Sequence, residues 1–292
     1  MYAVAGATGR VGGAAARRLL DEGEEVRVLV RRDADAERWR DAGADARVVD
    51  LADRAGLTDA LRGAEAMFAL LPFDLTADDL DAHADRLTAS IAGAVEDAGV
   101  PRVVLLSSGG ADLGAGTGPV DGLHRLEEAL RGVSVLTAMR SGHFQEKVTD
   151  VLEVARTEGV YPVLAPSADE PLPLGATADV GAVAAQLIRE QGGASEVVDV
   201  LGPEVTEAEV AGHLGRALGR ELHVVVVPEE AWAGTLAGAG FDAHVAESLA
   251  ELYLADARGL LAPRGDRTVR VTTPVEETIG ALVGGAAVGT VR

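Results

Sequence analysis

The glycine-rich stretch that ends at Gly13 constrains the fold of this chain more than any other feature. An apolar run, 2–5, is typical of a buried strand, and it leads directly into Gly6-x-x-Gly9-x-x-Gly12. The alanines and leucines of 14–20 then predict a helix. A strand, a glycine turn and a helix in this order form the unit that holds a dinucleotide pyrophosphate.

Each glycine has a physical role in such a turn. Gly6 lets the chain leave the strand sharply, Gly9 lets backbone N–H groups approach phosphates, and Gly12 lets the helix pack on the strand. The helix directs unpaired N–H groups and the positive end of its dipole at the anion. The alternative is a tight turn without a ligand, but the flanking strand and helix favour the phosphate site. Its predicted residues are Gly6, Thr8, Gly9, Arg10, Val11 and Gly12.

The second predicted strand, 25–30, is followed by Arg31. In this unit an acid at the end of the second strand binds the ribose 2′-hydroxyl, whereas an arginine accommodates a 2′-phosphate. Arg31 therefore favours NADP(H) over NAD(H), with Arg10 as a second contact to the same phosphate. The alternative is that Arg31 and Arg32 are solvated charges in a loop.

Further apolar runs alternate with helical patterns along the first half of the chain. The predicted strands are 46–50, 66–71, 102–106 and 134–139, and a long helix is expected over 75–98. This alternation predicts an α/β fold with a Rossmann-type doubly wound parallel sheet. Ligands of such sheets bind at the carboxyl ends of the strands. The strand-end residues expected in the same cofactor site are Asp50, Leu51, Leu71, Pro72 and Ser107.

The second half of the chain predicts a smaller α/β lobe on the substrate side. We expect residues 1–160 to form the dinucleotide-binding domain and residues 161–292 to form the lobe, with part of 175–201 returning to the main sheet. A helix is expected over 145–157, and His223–Val227 is expected to be the final strand. Residues 229–261 are expected to be mostly helical.

Composition excludes several classes of function. The net charge of −21 at pH 7 repels nucleic acid and anionic lipid. The absence of cysteine excludes disulfides and thiolate chemistry and suits a reducing cytoplasm. We find no membrane span and no histidine spacing typical of a metal site. The sequence therefore predicts a cytoplasmic protein with a small-molecule substrate, and a homodimer is compatible with such a fold.

A series of motifs resembles the NmrA-like family of atypical short-chain dehydrogenases. The family motifs are matched by Gly-Ala-Thr-Gly-Arg-Val-Gly at 6–12, Val-Leu-Val-Arg-Arg at 28–32, Val-Val-Asp-Leu at 48–51, Leu-Leu-Pro at 70–72, Leu-Leu-Ser-Ser at 105–108, Met-Arg-Ser-Gly-His-Phe at 139–144 and Leu-Gly-Pro-Glu at 201–204. The resemblance implies an NAD(P)H-binding protein. It also implies either a reductase of quinone-, enal- or dye-like acceptors or a non-catalytic NADP(H) redox sensor that regulates a protein partner.

The usual proton-donating pair of short-chain dehydrogenases, Tyr-x-x-x-Lys, is missing from the sequence. The chain has one lysine, Lys147, and His143 stands four residues before it. The candidate catalytic residues are therefore His143, Ser107 and His124, the last because the resemblance places a histidine there with Glu128 one turn later. Alternatively, each histidine is packed or solvated, and Ser107 only ends its strand.

Aromatic residues make up 3% of the chain, yet several fall near the predicted strand ends. We expect a pocket for a flat ring to be lined by Phe73, His143, Phe144 and Tyr161, with Trp232 as a further candidate. Core packing is the alternative for each aromatic residue.

Overall fold

The computed structural model describes residues 1–284 and shows an α/β fold. Its strands are β1 Tyr2–Ala5, β2 Val26–Val30, β3 Asp45–Val48, β4 Ala66–Leu70, β5 Arg102–Ser108, β6 Val135–Ser141, β7 His143–Phe144, β8 Val160–Val163, β9 Leu172–Gly175, β10 Glu196–Leu201, β11 Glu204–Val205, β12 His223–Val226 and β13 Arg267–Arg270. Its α-helices are α1 Arg10–Asp21, α2 Asp33–Asp41, α3 Arg54–Leu61, α4 Leu80–Ala98, α5 Val120–Arg131, α6 Leu152–Thr157, α7 Thr177–Arg189, α8 Glu207–Leu218, α9 Trp232–Gly238, α10 Ala243–Ala257 and α11 Val275–Gly284.

The main sheet has eight strands in the order β13-β10-β6-β5-β4-β1-β2-β3. Neighbouring strands in it are parallel, so their carboxyl ends lie at one edge. From β1 the chain winds outward to β3 and then returns to β4 on the other side of β1. The predicted Rossmann-type doubly wound sheet is thus confirmed, with its switch point between β1 and β4.

Helices cover both faces of this sheet, as parallel strands buried on two sides require. On one face α1, α2 and α7 pack against a core that contains Val4, Val28 and Phe68. On the other face α3, α4 and α5 pack against a core that contains Ala5 and Leu105. The two cores hold the carboxyl ends of the strands in a fixed arrangement.

A smaller lobe lies beside the carboxyl edge of the sheet. It contains the pair β8–β12 and the three-stranded sheet β11-β9-β7. One apolar cluster joins α8 and α11 to β8, and a second joins α9 to α10. The later segments α7, β10 and β13 lie on the main sheet, so the chain returns to it after the lobe has begun.

Two predicted helices differ in the structure. The helix expected over 75–98 begins at Leu80, because the carboxylate of Asp79 accepts a hydrogen bond from the N–H of Ala82 and caps the first turn. The helix expected over 145–157 is divided into a 3-10 helix, 145–150, and α6. The buried side chain of Gln145 donates hydrogen bonds to backbone carbonyls outside this segment, which ties its first turn to the lobe.

The strand at His223 is not the final strand, because β13 follows it. The sequence Arg-Thr-Val-Arg has no apolar run, which is why its strand was not predicted. Pairing with β10 holds it at the sheet edge, and the Arg267 guanidinium bonds the carboxylates of Glu190 and Glu196 at 2.6 and 2.9 Å. The short strands β8, β9 and β11 were not predicted either.

Candidate active site

The glycine turn between β1 and α1 has a backbone that side chains would disrupt. Gly6 has a positive φ of 64°, and a Cβ added there would lie 2.2 Å from a methyl carbon of Leu70. A Cβ added at Gly12 would lie 2.5 Å from the carbonyl oxygen of Gly6 and 2.7 Å from that of Ala5. The helix therefore approaches the strand as closely as two backbones allow.

The beginning of α1 is open to an anion. Gly9 precedes the helix and supplies no side-chain cap, and the N–H of Gly13 donates to the carbonyl of Gly9 at 3.0 Å. The N–H groups of the residues between them, Arg10 to Gly12, have no intrahelical partner. The exposed side chains of Thr8 and Arg10 stand beside these donors. These donors, the helix dipole and glycine at positions 6, 9 and 12 of the turn fit a dinucleotide pyrophosphate.

The two arginines after β2 have different surroundings. Arg32 donates to the carboxylate of Asp35 at 2.7 and 3.2 Å, and this hydrogen bond lowers the pKa of Asp35. Arg31 is exposed and, among residues 1–284, forms no hydrogen bond or ion pair. The guanidinium of Arg31 is therefore available to bind a 2′-phosphate, as predicted. The guanidinium of Arg32 is held by Asp35.

The other predicted cofactor residues lie along the same edge of the sheet. Asp50 is exposed just beyond β3, and its carboxylate accepts a hydrogen bond from the N–H of Ala52 at 2.8 Å. Leu51 packs partly against the core, Leu71 is buried beyond β4, and Pro72 is half-buried. The chain leaves the sheet at Pro72, as expected for a residue that cannot donate to the ladder.

Ser107 belongs to a buried ionic network. Its hydroxyl donates to the carboxylate of Glu127 at 2.6 Å, and Arg140 donates to the same carboxylate at 3.0 and 2.8 Å. Burial lowers the pKa of Arg140, but the hydrogen bonds and charge of Glu127 more than offset it, so the pKa is raised. Asp112 bridges Arg140 to Arg264, which follows α10. The Ser107 hydroxyl proton is therefore held within the protein and is not directed at the carboxyl edge of the sheet.

His124 lies on α5 and contacts the glycine-rich loop that follows β5. Its Nδ1 lies 3.0 Å from the carbonyl oxygen of Ala111, so Nδ1–H donates to that oxygen. Glu128, one turn later, pairs instead with Arg131 at 2.5 Å. Within residues 1–284, His124 and Glu128 lie one turn apart on α5 but have different partners, and the histidine anchors the loop.

His143 and Lys147 both contact α10 of the lobe. The Nε2 of His143 lies 2.8 Å from the Oδ2 of Asp256. Burial raises the pKa of Asp256, but the hydrogen bond and charge of His143, with the charge of Lys147, lower it overall. The Nζ of Lys147 lies 3.5 Å from the phenol oxygen of Tyr253 and 4.8 Å from the centre of its ring.

A groove of about 670 Å³ opens between the end of β4 and α10. This volume lies within the range of ligand pockets, roughly 300–1,000 Å³. The apolar wall includes Leu71, Pro72, Phe73, Leu249 and Leu254. Aspartates and glutamates from α4, α5 and α10 also line it. The groove therefore suits a mainly apolar molecule that is uncharged or cationic.

The predicted pocket residues do not all lie at this groove. Phe73 lines it with 49% of its surface exposed. Phe144 packs partly against the main core and Trp232 is buried between α9 and α10. Tyr161 is buried in the core of the lobe, where desolvation and the charge and hydrogen bond of Glu207 raise its pKa. Tyr161 is therefore part of the packing of the lobe.

Two further observations limit the chemistry of the described chain. Among residues 1–284, no group of three or more histidine, aspartate or glutamate side chains is arranged to hold a metal ion. Over the same residues, no helix combines the length and apolar character needed to cross a membrane.

Sequence reasoning missed the contacts of Tyr253, Asp256 and Glu127. The first two lie 106 and 113 residues from their partners Lys147 and His143. No local sequence pattern predicts a contact between residues so far apart in the chain. The burial of Glu127 could not be predicted from the sequence, because this acid stands among other charged residues of an amphipathic helix.

A parallel sheet with a glycine turn at its switch point defines the Rossmann class of dinucleotide-binding folds. The chain belongs to the NmrA-like family, whose model matches residues 2–260. The motifs from the first glycine turn to α10 thus lie within the region that the family shares.

Known relatives cover most of the chain. It is 34% identical over 227 residues to (4-alkanoyl-5-oxo-2,5-dihydrofuran-3-yl)methyl phosphate reductase from Streptomyces griseus, covering 76% of this chain and 75% of the relative. It is 27% identical over 277 residues to an NAD(P)H azoreductase from Xenophilus azovorans, covering 93% of each chain. The NADPH complex of an NADPH-dependent quinone oxidoreductase from Escherichia coli has the same fold, with a TM-score of 0.77, 24% identity and coverage of 98% of this chain and 95% of that chain.

Proposed function

We propose that this protein is an NADPH-dependent reductase of a small conjugated or cyclic acceptor, such as a quinone, an enal or a dye. One observation carries the proposal: the open start of α1 and the groove beside α10 lie at the same edge of the sheet. A dinucleotide bound across the switch point would extend from the first toward the second. The names of the relatives, an azoreductase, a quinone oxidoreductase and a furanone-type reductase, support the same reaction class.

The residues at the phosphate end favour NADP(H). The N–H groups that begin α1 would hold the pyrophosphate, and Gly6 and Gly12 allow the close approach of α1 to β1 that the turn requires. Arg31 and Arg10 would bind the 2′-phosphate, since both are exposed cations near the ends of β1 and β2. Arg32 would not, because Asp35 already holds its guanidinium.

The side chains that line the groove indicate which kind of acceptor would bind there. NADPH supplies a hydride, which suits an acceptor with an electron-poor double bond. The apolar wall of the groove would bind a flat ring, and Phe73 offers an exposed aromatic face. The acidic side chains of the groove would repel anionic acceptors. We therefore limit the proposed acceptors to neutral or cationic molecules.

Calorimetric titration with NADPH and NADH tests the cofactor assignment. We expect the wild type to bind NADPH more tightly, and Arg31→Ala to lose about 1.5–3 kcal/mol of NADPH binding with little effect on NADH. Arg32→Ala is the matched control and should bind both nucleotides as the wild type does. Equal affinity of the wild type for the two nucleotides would contradict the NADP(H) assignment.

Oxidation of NADPH with a panel of quinones, enals and dyes tests the reaction. We expect at least one acceptor to be reduced well above the rate in buffer. Binding of NADPH without oxidation across the panel would exclude the reductase. A conformational or oligomeric response that differs between NADP⁺ and NADPH would then favour the redox-sensor alternative.

A further inference from the structure

The wall of the groove contains few nitrogen donors that a ligand could use. Three side chains with nitrogen atoms line it: His83, Arg125 and His244. Arg125 forms ion pairs with two aspartates, at 2.7 and 2.6 Å. The Nε2 of His244 lies 2.8 Å from the carbonyl oxygen of Ala77, so its N–H donates to that oxygen. Two of the three nitrogen-bearing side chains are therefore already engaged by the protein itself.

The third, His83, has a ring whose proton can be assigned from its neighbour. His83 lies in the first turn of α4, and its Nδ1 is 3.0 Å from a terminal nitrogen of Arg86, three residues later. Because a guanidinium can only donate, Nδ1 accepts, and the ring is neutral with its proton on Nε2. This Nε2 is buried and, within residues 1–284, has no hydrogen-bond partner. A donor without an acceptor thus belongs to the wall of the groove.

A buried N–H group without a partner is costly, and native proteins keep few of them. The acids that precede His83 in the groove wall have other partners. The carboxylate of Asp74 accepts from the N–H and the hydroxyl of Thr76, and that of Asp79 accepts from the N–H of Ala82. An oxygen atom of a molecule bound in the groove would therefore satisfy a donor that the described chain leaves unsatisfied.

The first turn of α4 is fixed at the carboxyl end of β4. A Cβ added to Gly122 of α5 would lie 2.9 Å from the Cβ of Ala84 and 3.1 Å from a methyl carbon of Leu71. The residue next to His83 is thus packed against Leu71, which is one of the predicted cofactor residues. Strand β4 lies beside β1 at the switch point, where a dinucleotide crosses the sheet. His83 therefore belongs to the part of the groove that adjoins the proposed cofactor site.

We propose that the Nε2–H group of His83 binds the carbonyl oxygen of the acceptor, and that Arg86 is a positioning residue that keeps the ring proton on Nε2. The inference rests on the proposed function, because it states how the acceptor of that reaction is held. It also narrows the class of acceptor. Quinones and enals carry the required oxygen, whereas a dye without a carbonyl oxygen does not.

The chemistry balances with His83 as a hydrogen-bond donor alone. Hydride addition to the electron-poor carbon oxidises NADPH to NADP⁺ and converts the carbonyl oxygen into an oxyanion. The N–H group of His83 stabilises this oxyanion more than the neutral carbonyl, since negative charge has developed on the oxygen. Water then supplies the proton of the product, and the imidazole stays neutral throughout.

Calorimetric titration of the NADP⁺ complex tests the contact without turnover. The probes are cinnamaldehyde and trans-β-methylstyrene, in which a methyl group replaces the aldehyde. We expect His83→Leu to bind cinnamaldehyde about tenfold more weakly, the upper range for a neutral hydrogen bond, and to bind the hydrocarbon as the wild type does. His83→Gln should recover part of the loss, because its amide also offers an N–H donor.

Two further positions separate hydrogen bonding from packing. His244→Leu is the matched control, because it removes a groove imidazole whose N–H is already used, and any effect should be equal for the two probes. Arg86→Met should weaken cinnamaldehyde binding about threefold, since the ring proton can then lie on either nitrogen. Arg86→Lys should restore the affinity, because an ammonium also donates to Nδ1 of His83.

Steady-state kinetics extend the test to the reaction. With cinnamaldehyde, kcat of His83→Leu should fall by about 100-fold, the lower range for removing a donor to an oxyanion. With the triarylmethyl cation malachite green, which has no oxygen atom, the rate should stay unchanged. Equal loss with the two acceptors would assign His83 a structural role and overturn the inference.

The binding titration keeps the two proposals apart. A wild type that reduces no acceptor contradicts the proposed function, whereas a loss of cinnamaldehyde affinity confined to His83→Leu and Arg86→Met still supports the contact. Equal cinnamaldehyde affinity of the wild type and His83→Leu overturns the inference whatever the activity. A wild type that binds cinnamaldehyde no more tightly than the hydrocarbon, or binds neither, also overturns it.

Discussion

The two ends of the candidate site are built in different ways. The phosphate end is made by consecutive residues, Gly6 to Gly12, whose backbone between β1 and α1 forms the site. The other end is made by His143 and Lys147 against Asp256 and Tyr253 of α10, and each of these contacts spans more than 100 residues, the shorter one 106. The first end depends on local backbone geometry, and the second depends on how the lobe packs on the sheet.

The two ends of the site tolerate different kinds of change. A local turn is lost when one side chain is added to it, but it needs little from the rest of the protein. An assembled site tolerates single changes at its surface, but it is lost when the lobe shifts. The buried network of Ser107, Glu127, Arg140 and Asp112 connects the sheet to Arg264 and so stabilises the second end.

The largest expected effect comes from breaking that network. Glu127→Ala leaves the buried guanidinium of Arg140, only 5% exposed, without its main partner, and should lower the free energy of unfolding by about 3–5 kcal/mol. Chemical denaturation measures it. Glu128→Ala, on the exposed side of the same helix, should change stability by less than about 1 kcal/mol. Similar values for the two variants would show that the network contributes little to the stability of the protein.

A smaller effect is expected from adding one methyl group to the phosphate end. The Cβ of Gly12→Ala meets two carbonyl oxygens at 2.5 and 2.7 Å, so stability should fall by about 1–3 kcal/mol and NADPH binding should weaken. Gly280→Ala on α11 is the control, because a Cβ there meets nothing within 4 Å. Chemical denaturation and calorimetric titration with NADPH measure the two effects. Equal stability of Gly12→Ala and Gly280→Ala would contradict the close approach of α1 to β1.

The smallest effect concerns the contact between His143 and Asp256. Because the pKa of Asp256 is lowered in the folded protein, its stabilising contribution is full above the ordinary aspartate pKa of about 3.9 and is lost as the pH falls through the lowered value. Asp256→Asn should thus cost about 0.5 kcal/mol near neutral pH, a value that reflects solvent screening of a partly exposed pair. Denaturation of both proteins between acid and neutral pH measures the difference.

Two results would count against this assignment of Asp256. One is a stability difference that does not shrink at acid pH, and the other is an equal loss in Glu251→Gln, an exposed acid on the same helix. Either would assign the effect to the net charge of α10 and not to the contact with His143.

The fold and the phosphate end could be predicted because their signals are local. An apolar run followed by Gly6, Gly9 and Gly12 specifies β1, the turn and α1, and five repeats of strand and helix specify a parallel sheet. The strand β13 escaped prediction because Arg267 and its neighbours lack an apolar pattern, and its place depends on acids contributed by other segments. Tyr161 was expected in a pocket but packs in the lobe, since an aromatic side chain suits both places equally in sequence.

The sequence by itself determined the family, the parallel sheet, the glycine turn and the presence of a cation at Arg31. Only the tertiary structure decided that Ser107 donates to the buried acid Glu127 and that Lys147 lies against Tyr253. The physical reason is the range of the interactions. Backbone conformation is fixed by residues a few positions apart, whereas the partner of a charged or phenolic side chain is chosen by which surfaces meet when the lobe closes on the sheet.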